Sequence, residues 1–223
     1  YIRFVSKNGK RHLVGSFQKF DEKKTLNFDI RLEQPHKEHF VLAMPWEQKH
    51  HFYYNQKINC MPAKGWVKYN GTKYTFEPET DFAMLNWGRG VWPYENEWVW
   101  GVGNGYVNEK PFGFQIEYGF GDTKSASGNM IFYDGKIHKL EDVTCKIAIN
   151  SDGNFWKITS SDKRFEMNFR PFMDYAKDTN YKVLINQQHQ IFGYMNGIAV
   201  LDDGTRLEVK DFLCFIEKGK NKY

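Results

Sequence analysis

Four of the chain's seven tryptophans, Trp87, Trp92, Trp98 and Trp100, crowd into one short stretch, interleaved with glycine and a single arginine, Arg89. Indole rings offer wide flat apolar faces, and an arginine beside them can stack on a ring or grip an anion. Trp98 and Trp100 lie two apart, so on a strand they share a face. If that face borders a hollow, Trp87, Arg89, Trp98 and Trp100 form a site for a flat or polyene-like ligand, with Gln190 as a polar contact. The competing reading is that the rings fill the narrow end of a barrel and Arg89 caps them.

Acid–base chemistry needs a titratable group near such walls. Glu117, Asp122 and His189 are the candidates, with Asp81 as a further carboxylate. A carboxyl against aromatic surface loses hydration, holds its proton longer and can protonate an alkene or activate water. For Asp122 the alternative is local, because Phe120-Gly121-Asp122-Thr123 also reads as a turn whose aspartate accepts backbone amides. His189 has a structural alternative of the same kind, a hydrogen-bonded surface ring. His50 and His51 are adjacent and point to opposite faces of any strand, so no metal set is expected. No Gly-x-Ser-x-Gly elbow is present. Gly101-Val102-Gly103-Asn104-Gly105 runs into strand-like residues rather than a helix, so it reads as a bulged hairpin beside the tryptophans and not as a phosphate loop. No cofactor is expected.

These residues must be held by strands. Aromatic residues make up 17% of the 223-residue chain, which favours sheet over helix. Leu26, Phe28, Ile30 and Leu32 alternate with polar residues, as do Phe165, Met167 and Phe169, and then Leu207 and Val209. Turn dipeptides punctuate the runs at Asn8-Gly9, Asn70-Gly71, Asp134-Gly135, Asp152-Gly153, Asn196-Gly197 and Asp203-Gly204, and each predicts an antiparallel hairpin. Meandering strands hide their edges by closing or curling. The expected fold is therefore all-β, an antiparallel barrel or strongly curved sheet.

Charge and cysteine usage narrow the partners. A net charge of +4, spread among 31 basic and 27 acidic residues, gives no nucleic-acid footprint. No apolar run reaches the length of a membrane span. The three cysteines, Cys60, Cys145 and Cys214, are far apart and in no CxxC spacing, which fits a reducing cytoplasm.

Several blocks carry a family resemblance. They are Phe52-Tyr53-Tyr54-Asn55-Gln56-Lys57-Ile58-Asn59-Cys60-Met61-Pro62, Leu85 to Trp92, Tyr118-Gly119-Phe120-Gly121-Asp122-Thr123, Asp134 to Leu140, Ser160 to Met167 and His189-Gln190-Ile191-Phe192-Gly193. With these, the chain resembles the bacterial family of domain of unknown function 2804. Asn86 stands where relatives generally carry Asp before the Trp-Gly-Arg-Gly run. The resemblance implies a lipocalin-like, or calycin, fold akin to AttH-like proteins, carotenoid hydratases, tocopherol cyclases and some Diels–Alder cyclases, in which two barrels pack together around a hydrophobic ligand. On that basis residues 1–49 are expected to be the last strands of an N-terminal lipocalin-like half, with a missing N-terminal segment of the same protein supplying the rest. Residues 50–223 are expected to be a lipocalin-like barrel domain. The expected partner is a hydrophobic or amphipathic small molecule, and a homodimer stays open. A cofactor-independent hydratase, isomerase or cyclase is the alternative to simple binding, and a carbohydrate-binding module using tryptophan platforms is a third reading.

Overall fold

The computed structural model describes residues 1–35, 37–150, 153–181 and 184–222, except for the side chains of 147–150, 153 and 154. Among them the chain forms antiparallel strands without a helix. In chain order these are β1 Ile2–Lys7, β2 Lys10–Asp21, β3 Lys24–Glu33, β4 Phe40–Pro45, β5 Phe52–Tyr69, β6 Thr72–Phe76, β7 Phe82–Val91 and β8 Glu95–Val107. They continue as β9 Lys110–Tyr118, β10 Met130–Tyr133, β11 Lys136–Lys139, β12 Val143–Asn150, β13 Gly153–Ser160, β14 Phe165–Asn180, β15 Ile185–Val200 and β16 Arg206–Lys222. The all-β antiparallel expectation holds, and one sheet curls into a half-barrel. No helix is long and apolar enough to cross a membrane among the described residues.

The chain divides into two compact units. The first comprises residues 1–37 and 58–85. There β1, β2 and β3 pair in sequence, and the later part of β5 pairs with β3 and β6. Its small core is Leu32, Ile58, Met61 and Ala63, with Leu13 and Ile30 against it.

The second unit comprises residues 38–57 and 86–223 and holds a nine-stranded sheet in the order β11-β10-β9-β8-β16-β15-β14-β13-β12. Side chains alternate across its two faces. One face gathers Phe112, Phe114 and Ile116 of β9, Phe165, Met167 and Phe169 of β14, and Phe212, Cys214 and Ile216 of β16 into the main core. Phe114 is fully buried, its ring 5.3 Å from Phe165 and 6.2 Å from Phe212. In the same unit β4 pairs with residues 52–57 of β5.

Most turn dipeptides sit at hairpins, among them Asn8-Gly9, Asn70-Gly71, Asp134-Gly135 and Asp203-Gly204. Asp152 lies outside the described residues. Two expectations need correction. Asn196-Gly197 is not a turn, because β15 runs straight through it. Gly197, at φ 157°, has the Glu166 carbonyl and the Met167 backbone where a Cβ would stand. Opposite it, β16 carries a bulge: the register passes from Gly197↔Val209 to Met195↔Phe212, and Asp211 sits at φ 42°. Asn196 Oδ1 accepts from the Asp211 amide at 2.9 Å and pins the extra residue. Likewise Gly101–Gly105 is the interior of β8 rather than a hairpin, and the rings of Phe114 and Phe212 occupy the space a side chain at Gly103 would need.

Removing the ring at the centre of this core tests the packing account. Phe114→Ala is expected to cost about 3–5 kcal/mol, read as a lower urea midpoint at unchanged slope.

Candidate functional site

The candidate site lies in the second unit, on the face of the nine-stranded sheet opposite the phenylalanine core. In β8 the core-facing positions are Val99, Gly101 and Gly103, so Asn96, Trp98 and Trp100 point the other way. The pairing Trp100↔Glu117 on one side and Trp100↔Glu217 on the other puts two carboxylates in one row flanking the indole. Adjacent strands are about 4.8 Å apart, so the two glutamate backbones stand roughly 10 Å apart. Facing them from β5 are Tyr53, Asn55 and Lys57, alternate residues on one side of that strand. Asn55, Lys57, Glu117 and Glu217 are all buried.

Tyr53, Trp92, Trp98, Trp100, Phe120, Glu117 and Glu217 line a cavity of about 370 Å³, with Asn86, Asn96 and Asn221 among its polar groups. Its rings meet edge to face: Tyr53–Phe120 at 5.0 Å and 90°, Trp98–Phe120 at 5.8 Å and 77°. Trp92 lies 5.9 Å from Tyr53. Neighbouring strands fix the indoles. Trp98 Nε1 donates to Glu217 Oε1 at 2.8 Å, and Trp100 Nε1 to Gln115 Oε1 at 3.3 Å.

The two carboxylates differ in their partners. Glu217 accepts from Trp98 on one oxygen and, on the other, from Gln188 at 2.8 Å and Gln190 at 3.0 Å, all of them neutral donors. Glu117 forms an ion pair through Oε2 with Lys57, a lysine only 1% exposed. Its other oxygen, Oε1, is buried and has no hydrogen-bond partner among the described residues. The Glu117 amide donates to Asn129 Oδ1 at 2.7 Å, which holds the strand end in place. A Cβ at Gly128 would collide with both Glu117 Oε1 and Lys57 Nζ, so a residue without a side chain is needed there.

Tyr53 accepts from Asn55 Nδ2 at 2.6 Å, while the same amide donates to the Trp87 carbonyl at 2.8 Å. Burial, reinforced by the nearby Glu117 charge, pushes the Tyr53 phenol up to about 12, against the weaker pull of the Asn55 hydrogen bond. The phenol therefore keeps its proton through the neutral range and can offer it to a ligand. Lys139 feels the Lys57–Glu117 pair, its ammonium 4.8 Å over the Phe40 ring. Burial, aided by Lys57, lowers it to about 8, although Glu117 acts in the other direction.

Of the residues singled out from sequence, Glu117, Trp98, Trp100 and Gln190 come together here. The others do not. Trp87 is 46% exposed, and its ring packs edge-on against Tyr54 at 6.2 Å. Arg89 is exposed and does not line the cavity. Asp122 borders a neighbouring cleft and serves its own turn, accepting from Ser125 Oγ at 2.6 Å and the Lys124 amide at 3.2 Å. The Ser125 hydrogen bond holds its carboxyl below the usual range. His189 projects from the core side of β15 and meets Asp174 at 3.1 Å. Tyr53, Lys57 and Glu217 were missed by sequence reasoning, although Tyr53 and Lys57 fall within the first block quoted for the family. No cluster of three His, Cys, Asp or Glu side chains suited to a metal occurs among the described residues.

The model of the family described as a domain of unknown function, DUF2804, matches residues 1–223. The chain belongs to that family. No curated protein sequence matches it. Among solved structures it is similar to kievitone hydratase from Nectria haematococca, with a TM-score of 0.50 and 10% identity over 100% of this chain and 68% of that one. It is also similar to CghA solved with Sch210972, with a TM-score of 0.41 and 11% identity over 99% of this chain and 73% of that one. At such identities the hydratase likeness is one of fold.

Two measurements test this geometry. Lys57→Met leaves a buried carboxylate uncompensated and is expected to cost about 3–5 kcal/mol in urea unfolding, whereas Lys57→Met/Glu117→Leu recovers most of the loss. In a spectrophotometric pH titration one phenolate is expected to form near pH 12 and to be lost in Tyr53→Phe. Because the folded phenol titrates above its unfolded value, its contribution to stability is complete below about pH 10 and fades between 10 and 12.

Proposed function

We propose that the protein is a cofactor-independent acid–base enzyme of the hydratase, isomerase or cyclase kind, acting on an amphipathic small molecule seated against Trp98 and Trp100. The observation that carries this reading is Glu117: a buried carboxylate on the wall of an aromatic cavity, one oxygen tied to Lys57 and the other unpartnered. A pocket built only for apolar binding gains nothing from burying that group, since an unsatisfied polar atom costs free energy. A base with one free lone pair repays it during turnover.

In this reading the Glu117 carboxylate takes a proton from an activated carbon or from water. The electron pair released from a C–H bond moves into an adjacent carbonyl, and the Tyr53 hydroxyl donates a hydrogen bond to the resulting oxyanion. Return of the proton to a different carbon completes an isomerisation. In a hydration Glu117 takes a proton from water as the water's hydroxyl adds to one carbon of a double bond conjugated to the carbonyl, and the same proton returns to the other carbon. Lys57 positions Glu117 and balances its charge without reaching the cavity. The fold shared with kievitone hydratase is compatible with such chemistry.

Simple sequestration of a ligand is the second reading, favoured by the tied-down indoles. Incubation in D₂O with small molecules co-purified from the native host separates the two. The enzyme is expected to place deuterium on carbon, and Glu117→Gln to slow that exchange by about 10²–10⁴-fold while ligand binding persists. Retention of a ligand with no deuterium incorporated at any position would establish a binding protein instead.

A further inference from the structure

The charge balance of the same cavity points to the class of molecule it takes. Glu117 is offset by Lys57, but Glu217 is held by Trp98, Gln188 and Gln190, none of which carries charge. Among the described residues no lysine, arginine or histidine lines the cavity. Basic residues around it are already engaged: Lys139 donates to the Ser127 carbonyl, and Lys220 and Lys222 approach Glu95 at 3.3 and 3.9 Å. Glu217 is thus a carboxylate on the cavity wall with no cation among its partners.

The walls agree with the charge. Tyr53, Trp92, Trp98, Trp100 and Phe120 surround the space, several of them at near right angles. Aromatic rings that turn a face to a void attract a cation there far more than a neutral body of the same shape. The adjoining cleft, which shares Asn96 with the cavity, adds Glu47, Glu95, Glu97 and Asp122 against only Lys124 and Lys220. An acidic approach raises the local concentration of cations and repels anions.

We propose that the cavity binds an organic cation, a substituted ammonium whose charge sits within the aromatic box and balances Glu217. This rests on the cavity assigned above and specifies its substrate class; it does not require that turnover be observed. It also replaces the anion that a ligating Arg89 would have implied.

The test uses the full chain and three probes of one shape: choline, its uncharged isostere 3,3-dimethylbutan-1-ol, and the anion 3,3-dimethylbutanoate. Tryptophan fluorescence and calorimetry report binding. Choline is expected to bind at least about tenfold more tightly than the alcohol, with the anion weakest. Glu217→Gln is expected to erase that preference, and should it not fold, the order of the three probes on the unaltered protein decides. The alcohol binding as tightly as choline would overturn the assignment, as would failure of all three at tens of millimolar. Deuterium exchange that depends on Glu117, together with no preference for charge, would discard the cation and leave the enzyme reading standing. A clear preference for choline without any exchange would do the reverse.

Discussion

The ion pair between Lys57 and Glu117 is the interaction on which the site depends. Neither charge would remain buried without the other, since taking an ammonium or a carboxylate out of water costs several kcal/mol even after relaxation, on the order of what a whole domain has to spare. Together they anchor the first half of β5 to the end of β9. That anchorage sets Tyr53 edge to face against Phe120, both on the wall of the cavity. Gly128 and Asn129 follow from the same requirement, one by leaving room and the other by holding the Glu117 backbone.

The nine-stranded sheet separates stability from chemistry by face. Its core side is filled by phenylalanine and methionine, whose burial supplies the main hydrophobic driving force. The opposite side can then afford carboxylates, carboxamides and indole N–H groups, provided each finds a partner. Nearly all do. Tying both indoles to side chains on neighbouring strands gives the walls a fixed geometry, which rigid recognition needs.

Alternation and turn chemistry made the architecture legible in the sequence, because period two is a property of every strand that has one dry face. The aromatic cluster was legible too, and with it Trp98, Trp100 and Glu117. Tyr53, Asn55 and Lys57 were not, for a physical reason. In β5 the polar residues face the protein interior while Phe52 and Tyr54 lie more open to solvent, the inverse of the usual code. A buried lysine cannot be told from a solvated one until its carboxylate, 60 residues away, is placed beside it. Asn196-Gly197 misled for a related reason: the same dipeptide serves a tight turn and a strand whose neighbour needs room.

The bulge at Asp211 gives chain length a chemical meaning. Counted by twos from Leu207 and Val209, position 217 belongs among the phenylalanines. The single extra residue shifts the phase, so that Ile216 enters the core and Glu217 emerges beside Trp98. Deleting one residue between Val209 and Phe212 would leave both destinations as they are, because plain alternation would then run from Val209 to Ile216; keeping the residue but losing the bulge would exchange them, sending an acid into oil and an isoleucine to the ligand. The backbone kink at Asp211, pinned by Asn196, therefore sets the reading frame of the sheet.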